Sequence, residues 1–290
     1  MKTAVVTDSN SGIFGEEARS LGIHVIPMPI IIEDQTFFEN EDITPGQFFE
    51  AQVGGKSVSS SQPSPASIMD IWDLVLENAD ELIYIPMSSG LSGACQTAKM
   101  LADDYDGKVV IADNHRISVS LKQSVLRALF LAGQGMDAKQ IKEKLEEESY
   151  TTTIYLTVES LTYFKRSGRI TPAVAALGDM LNIKPVLSTS GDAFDTFSKV
   201  RGLEKARSSL FELIKRERET RYSAYDDDEI LIPTAGSFMR EEDAQAWYQR
   251  AVDYFPNNRV FYNMLSLSIA CHTGPNACGL GILLNPENKI

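Results

Sequence analysis

The hydrophobic pattern divides the chain into two parts that differ in how regularly predicted strands and helices alternate. In the first part, short apolar runs typical of buried strands alternate with segments of helical periodicity. The clearest runs are Thr3–Thr7, Glu81–Pro86 and Lys108–Ala112. Strands that alternate with helices predict a parallel sheet, and ligands of such sheets bind beyond the carboxyl ends of the strands.

The second part has no regular alternation. Two strands are predicted on either side of the Ser190–Asp192 turn, followed by a long charged helix over Leu203–Thr220. We therefore predict an α/β fold of two domains: an N-terminal parallel α/β sheet domain over residues 1–150, with a small insert around 33–56, and a C-terminal α+β domain over 151–290.

Two turns in the first part combine hydroxyl side chains with helix starts. Ser60 lies in a serine-rich segment before a helix predicted to have Ser64 as N-cap and Pro65 at its first position, and Ser92 lies in the Ser88–Gly93 turn. Free backbone N–H groups and the helix dipole favour an anion at such places, although capping alone explains either turn. Neither segment has the spacing of a phosphate-binding loop or of a hydrolase nucleophile elbow.

The second part holds two further candidates. Arg169 belongs to the compact cationic turn Lys165–Ile170; basic residues are common at helix ends, but a guanidinium also suits an acidic head group. His272, expected in a Gly/Pro turn between apolar strands, is a candidate hydrogen-bond donor near an anion. Cys271 and Cys278 flank it, yet no fourth ligand is suitably spaced, so no metal site is predicted.

Charge and composition narrow the classes of function. With 27 Lys and Arg against 40 Asp and Glu, the net charge is −13 and the pI is near 4.8, which argues against nucleic-acid binding and against adsorption on anionic membranes. Three cysteines are too few for a disulfide framework, so we expect a reducing compartment, the cytoplasm. No apolar stretch is long enough to predict stable membrane insertion.

Several motifs, taken in order along the chain, resemble the DegV family of bacterial fatty-acid-binding proteins. They span nearly the whole sequence and are Thr7–Ser9, Ser60–Pro65, Ser88–Gly93, Arg166–Ile170, Ile183–Leu187 and His272–Pro275. The resemblance implies a two-domain α/β fold that binds a long-chain fatty acid such as palmitate, with no other cofactor.

The resemblance also implies roles for individual residues. It places the fatty-acid carboxylate on the hydroxyls of Ser60 and Ser92, with Arg169 and His272 close to the head group. The family usually has Thr at the position of Ser60, so this chain keeps the hydroxyl there but lacks the methyl group. It usually has Gly at the position of Ser167. Some members present the bound acid to a fatty-acid kinase for phospholipid synthesis, which makes such a kinase a possible partner.

Two other functions are compatible with the residues. The first is a serine hydrolase or esterase that uses Ser92 or Ser60 with His272, although the sequence identifies neither an acid partner nor oxyanion donors. The second is an interaction protein that docks through Lys199–Arg221, where eight Lys and Arg stand against four Glu. Such a stretch is more often a solvated helix face.

Overall fold

The computed structural model describes residues 2–176 and 182–284. It divides into two compact units, one formed by residues 1–44 and 57–150 and the other by residues 45–56 and 151–290. Helices and strands are numbered in chain order, and each unit is described by itself.

The first unit contains seven strands and five helices among the described residues. Its strands are β1 (Thr3–Asp8), β2 (His24–Ile26), β3 (Pro29–Ile32), β4 (Gln35–Phe38), β5 (Val58–Ser60), β6 (Glu81–Ile85) and β7 (Val109–Ile111). Its helices are α1 (Gly15–Leu21), α3 (Pro65–Leu76), α4 (Ala94–Ala102), α5 (Val119–Gly133) and α6 (Ala138–Glu147).

The main sheet of this unit is parallel, as predicted, with strand order β2-β1-β6-β7. A second, antiparallel sheet has the order β4-β3-β5. The apolar run over residues 24–32 therefore contains two strands, β2 in the parallel sheet and β3 in the antiparallel sheet. Pro27 lies between them, and because proline has no backbone N–H it favours this interruption of the strand.

The helices α3 and α4 cover the parallel sheet through an aromatic core. Trp72 of α3 is fully buried, and its ring meets the rings of Tyr84 and Tyr105 edge to face at 5.8 and 5.4 Å between centroids. Ser64 caps α3 by accepting a hydrogen bond from Ser67 N, with Pro65 at the first position of the helix. The predicted start of this helix is confirmed.

The second unit contains six strands and six helices among the described residues. Its strands are β8 (Thr152–Thr157), β9 (Ile183–Thr189), β10 (Asp195–Arg201), β11 (Ile230–Gly236), β12 (Arg259–Met264) and β13 (Cys278–Leu284). Its helices are α2 (Pro45–Val53), α7 (Thr162–Ser167), α8 (Pro172–Ala175), α9 (Leu203–Glu219), α10 (Glu241–Tyr254) and α11 (Leu267–Thr273). The sequence also predicts a helix from Thr171 to Leu181, of which residues 177–181 lie outside the described part.

These strands form one mixed sheet of order β10-β9-β8-β13-β11-β12. Helices α9 and α10 share an apolar core with it, to which α9 contributes Leu210, Phe211 and Ile214. Several cations of α9 are paired, as in Arg207 with Glu204 at 2.7 Å and Arg218 with Asp227 at 2.9 Å. The predicted basic helix thus has an apolar buried face, while part of its positive charge is offset by neighbouring carboxylates.

The structure differs from the sequence prediction at the insert around 33–56. Its residues 45–56, which include α2, pack with the second unit instead of the first. Phe48 and Phe49 are buried, and Gln52 Nε2 donates to the Ala270 carbonyl at 3.0 Å. Burial of two aromatic rings is a sufficient reason, since each is worth a few kcal/mol.

Candidate functional site

The carboxyl edge of the parallel sheet has a topological switch point. From β1 the chain moves to β2 on one side, while β6 pairs with β1 on the other side and leads on to β7. Loops that leave β1 and β6 therefore diverge to opposite sides, which opens a crevice suited to ligands. The loop after β6 is Met87–Gly93, which carries Ser92.

Asp8 at the end of β1 ties these two loops together. Its carboxylate accepts hydrogen bonds from Met87 N at 2.8 Å and from Asn10 N at 2.9 Å. Burial raises the pKa of Asp8 to about 6, and the two backbone hydrogen bonds oppose that rise. Asp8 thus anchors the start of the Ser92 loop.

Further backbone hydrogen bonds fix the shape of the Ser92 loop. Ser88 N donates to the Arg116 carbonyl at 2.9 Å, and Ser92 N donates to the Ser88 carbonyl at 3.2 Å. The Ser92 hydroxyl accepts a hydrogen bond from Ala94 N at 3.2 Å, at the start of α4. A hydroxyl has one donor besides its acceptor sites, so this half-buried side chain keeps a proton to donate to a ligand or to water.

Ser60 is the last residue of β5, where it pairs with Ile30 of β3. Ser64 caps the helix as predicted, and Ser60, which the sequence placed in the segment before that helix, is the end of a short strand that was not predicted. Strand β5 is three residues long, too short for its alternation to be distinguished from a loop.

The segments that carry Ser60 and Ser92 meet at one place. Gln62 Nε2 donates to the Thr97 hydroxyl at 3.2 Å, and a Cβ atom placed on Gly93 would lie 3.2 Å from Gln62 Oε1. Since Gln62 follows Ser60 by two residues and Gly93 follows Ser92 directly, both serines belong to one region of the first unit.

Arg169 and His272 lie in the second unit. Helix α7 ends at Gly168, which adopts a left-handed conformation with φ of 71° and donates its N–H to the Phe164 carbonyl. Arg169 follows directly, and its guanidinium donates to the Ser167 carbonyl. The predicted cationic turn at a helix end is confirmed.

His272 is not in a turn between strands, as the sequence suggested, but in the last turn of α11. This helix has seven residues and is mostly buried, so it lacks the polar face that reveals a helix by periodicity. Burial, together with the nearby charge of Arg169, lowers the pKa of His272 to about 4. At neutral pH the imidazole of the ligand-free protein is therefore uncharged.

The electrostatics of His272 bear on the hydrolase hypothesis. In a serine triad a carboxylate orients the histidine and stabilises its protonated form. Here the charged group that shifts the pKa of His272 is the Arg169 guanidinium, which has the opposite effect. His272 is therefore suited to donate or accept a hydrogen bond as a neutral group and is poorly suited to act as a general base.

Sequence reasoning assigned no role to three residues that shape the serine region. Asp8 and Gln62 lie within the family motifs, and Thr97 lies on α4. A buried carboxylate that anchors a loop and a hydrogen bond between two side chains leave no distinctive residue spacing in the sequence. The signal that the sequence offered for Gln62 is an amide side chain directly after a run of serines.

No cluster of three or more His, Cys, Asp or Glu side chains is arranged to hold a metal ion in residues 2–176 and 182–284. Within the same residues, no helix combines the length and the apolar character that a membrane crossing needs.

The fold and the site define a two-unit α/β protein with hydroxyl groups gathered at the switch point of a parallel sheet. The family model described as "uncharacterised protein, DegV family" matches residues 2–285. A DegV domain-containing protein of Deinococcus radiodurans is 31% identical over 97% of this chain and 98% of its own. The chain belongs to the DegV family.

Solved structures agree with this assignment. A DegV family protein from Thermus thermophilus, described for its fatty acid binding, has a TM-score of 0.86 and 29% identity, covering 98% of this chain and all of the other. A fatty acid binding DegV family protein from Streptococcus agalactiae has a TM-score of 0.83 and 26% identity, covering 98% of this chain and 99% of its own. The predicted family and two-domain α/β fold class are confirmed.

Proposed function

We propose that this protein is a carrier that binds a long-chain fatty acid such as palmitate, with the carboxylate held by the hydroxyls of Ser60 and Ser92. The observation that carries the proposal is the meeting of the two serine segments through Gln62, Thr97 and Gly93 at the switch-point edge. The fatty-acid-binding relatives from Thermus thermophilus and Streptococcus agalactiae support the choice of ligand.

The tail would supply most of the affinity. Burial of a 16-carbon chain at about 0.8 kcal/mol per CH₂ gives a gross gain on the order of 10 kcal/mol. One hydroxyl hydrogen bond to a carboxylate contributes about 1.5–3 kcal/mol, so the serines mainly fix the position of the head group.

We further propose that Arg169 and His272 serve the head group or its hand-over to a fatty-acid kinase in the cytoplasm. A guanidinium carries a permanent charge for an anionic group, and a neutral imidazole adds one donor and one acceptor. Arg169→Ala should then lower kinase-coupled acyl-phosphate formation more than palmitate affinity. An equal loss of both quantities would contradict a role in hand-over.

The proposed head-group site is tested by palmitate titration of delipidated protein. Ser92→Ala and Ser60→Ala should each weaken binding by about 10- to 150-fold, the equivalent of 1.5–3 kcal/mol, because one charge-assisted bond is lost. Ser60→Thr should bind as the wild type does, since the hydroxyl is kept and a β-branched residue suits the end of β5. Ser59→Ala, an exposed neighbour on the same strand, is the matched control.

Two outcomes would contradict this proposal. If both alanine variants bound palmitate as tightly as the wild type, the carboxylate would be held elsewhere. If the protein alone hydrolysed p-nitrophenyl palmitate and lost that activity in both Ser92→Ala and His272→Ala, the hydrolase would replace the carrier.

A further inference from the structure

Two helices of the second unit hold Arg169 and His272. Arg169 leaves the end of α7 just after Gly168, and His272 lies in the last turn of α11, which packs against α7. The two helices pack directly on each other, and the charge of Arg169 contributes, after burial, to the lowered pKa of His272. Their separation therefore depends on how α7 sits on α11.

One close contact at this helix pair joins Tyr163 of α7 to Gly274, which directly follows α11. A Cβ atom placed on Gly274 would lie 2.3 Å from Cδ2 of the Tyr163 ring, so the ring packs directly on the glycine backbone. Gly274 follows α11 with φ of 74°, a conformation that disfavours other residues. Its carbonyl accepts a hydrogen bond from the Ser237 hydroxyl at 2.6 Å, which holds the glycine in place.

The Arg169 guanidinium is held close to the helix that carries Tyr163. Tyr163 lies in α7, and the guanidinium donates to the carbonyl of Ser167, the last residue of α7. The Arg169 carbonyl in turn accepts from Phe194 N at 3.0 Å. The guanidinium is thus tied to the end of α7, whereas the Arg169 backbone is tied to Phe194 outside that helix. A shift of α7 would therefore move the guanidinium, while His272 would stay with α11.

We propose that Tyr163 is a positioning residue whose ring, packed on Gly274, fixes the separation of the Arg169 guanidinium and the His272 imidazole. Tyr163 needs no contact with a ligand for this. This role involves α7 and α11 alone. Only its consequence for the head group rests on the proposed function.

The experiment follows the His272 imidazole by NMR in histidine-labelled protein, which contains three histidines. His272→Gln identifies the resonance. In the wild type, His272 should stay mostly neutral from pH 8 to pH 5. Tyr163→Ala should raise the pKa of His272 by about one unit or more. Without the ring, α7 loses its packing on Gly274, so Arg169 moves away from His272 and water reaches the imidazole.

Two variants separate positioning from general loosening. Tyr163→Phe keeps the ring and should keep the wild-type pKa of His272. Tyr248→Ala, which removes a half-buried tyrosine of α10, is the control and should change nothing at His272.

An unchanged His272 pKa in folded Tyr163→Ala overturns the proposal, as does an equal shift in Tyr248→Ala. If Tyr163→Ala does not fold, Tyr163→Leu gives the same reading. Palmitate affinity and kinase-coupled turnover are measured on the same variants. A shifted pKa with unchanged affinity and turnover supports the positioning role and counts instead against the proposed role of Arg169 and His272.

Discussion

Asp8 and His272 are titratable groups for which burial favours the neutral form. Burial raises the pKa of the Asp8 carboxyl to about 6, while burial and the charge of Arg169 lower the pKa of His272 to about 4. The two groups belong to different units and act on stability in opposite directions as the pH falls. Neither shift can be read from the sequence, because both depend on what packs around the side chain.

The first prediction concerns His272. Its pKa is near 6.5 in the unfolded chain and about 4 in the folded protein, so the unfolded chain binds the proton first and stability falls as the pH drops from 6.5 to 4. Between pH 7.5 and 5.5 this contributes a loss on the order of 1 kcal/mol. Urea unfolding should show that His272→Gln loses less stability over this interval than the wild type does.

Asp8→Asn provides the control of opposite sign. The folded-state pKa of Asp8 is raised, so protonation of Asp8 stabilises the fold as the pH falls through about 6. The asparagine variant should therefore lose more stability than the wild type between pH 7.5 and 5.5. Identical pH dependence in the wild type and His272→Gln would contradict the burial that the structure gives His272.

At the scale of elements, the sequence predicted those that carry a local signal. Ser64 caps α3 with Pro65 at its first position, and the two strands around the Ser190–Asp192 turn are β9 and β10. Among the elements it missed are β5, α2 and α11, which are short or have no clear polar face. Two of these three matter for the site, since β5 ends at Ser60 and α11 carries His272.

The second prediction concerns α2. Phe48 is fully buried, and α2 packs on α11. Phe48→Ala should destabilise the protein by about 3–5 kcal/mol, because a large buried ring leaves a cavity. Hydrogen exchange should then increase in α2 and α11 more than in β1 and β6.

Val53→Ala is the matched control on the same helix, because Val53 is 56% exposed. It should change stability by no more than about 0.5 kcal/mol. Increased exchange confined to β1 and β6 in Phe48→Ala would show that α2 supports the first unit instead.

At the scale of the molecule, the family motifs predicted more than periodicity did. Most of them lie at strand and helix ends, and Ile183–Leu187 lies within β9. Because they run from Thr7 to Pro275, they identified the fold class over nearly the whole chain. Periodicity could not assign α2 to its unit, because that depends on contacts such as the one from Gln52 to Ala270, which lies far along the chain. The residues that line a fatty-acid tail are equally hidden, since apolar core residues carry no distinctive pattern.

The central claim is that this chain carries a long-chain fatty acid, and mass spectrometry tests it most directly. The protein is purified from bacteria without added lipid, and its mass is measured under native conditions and again after denaturing extraction. We predict close to one long-chain fatty acid per chain, because the gross gain from tail burial, on the order of 10 kcal/mol, favours retention during purification. Protein that is consistently lipid-free and also fails to take up labelled palmitate would contradict the account.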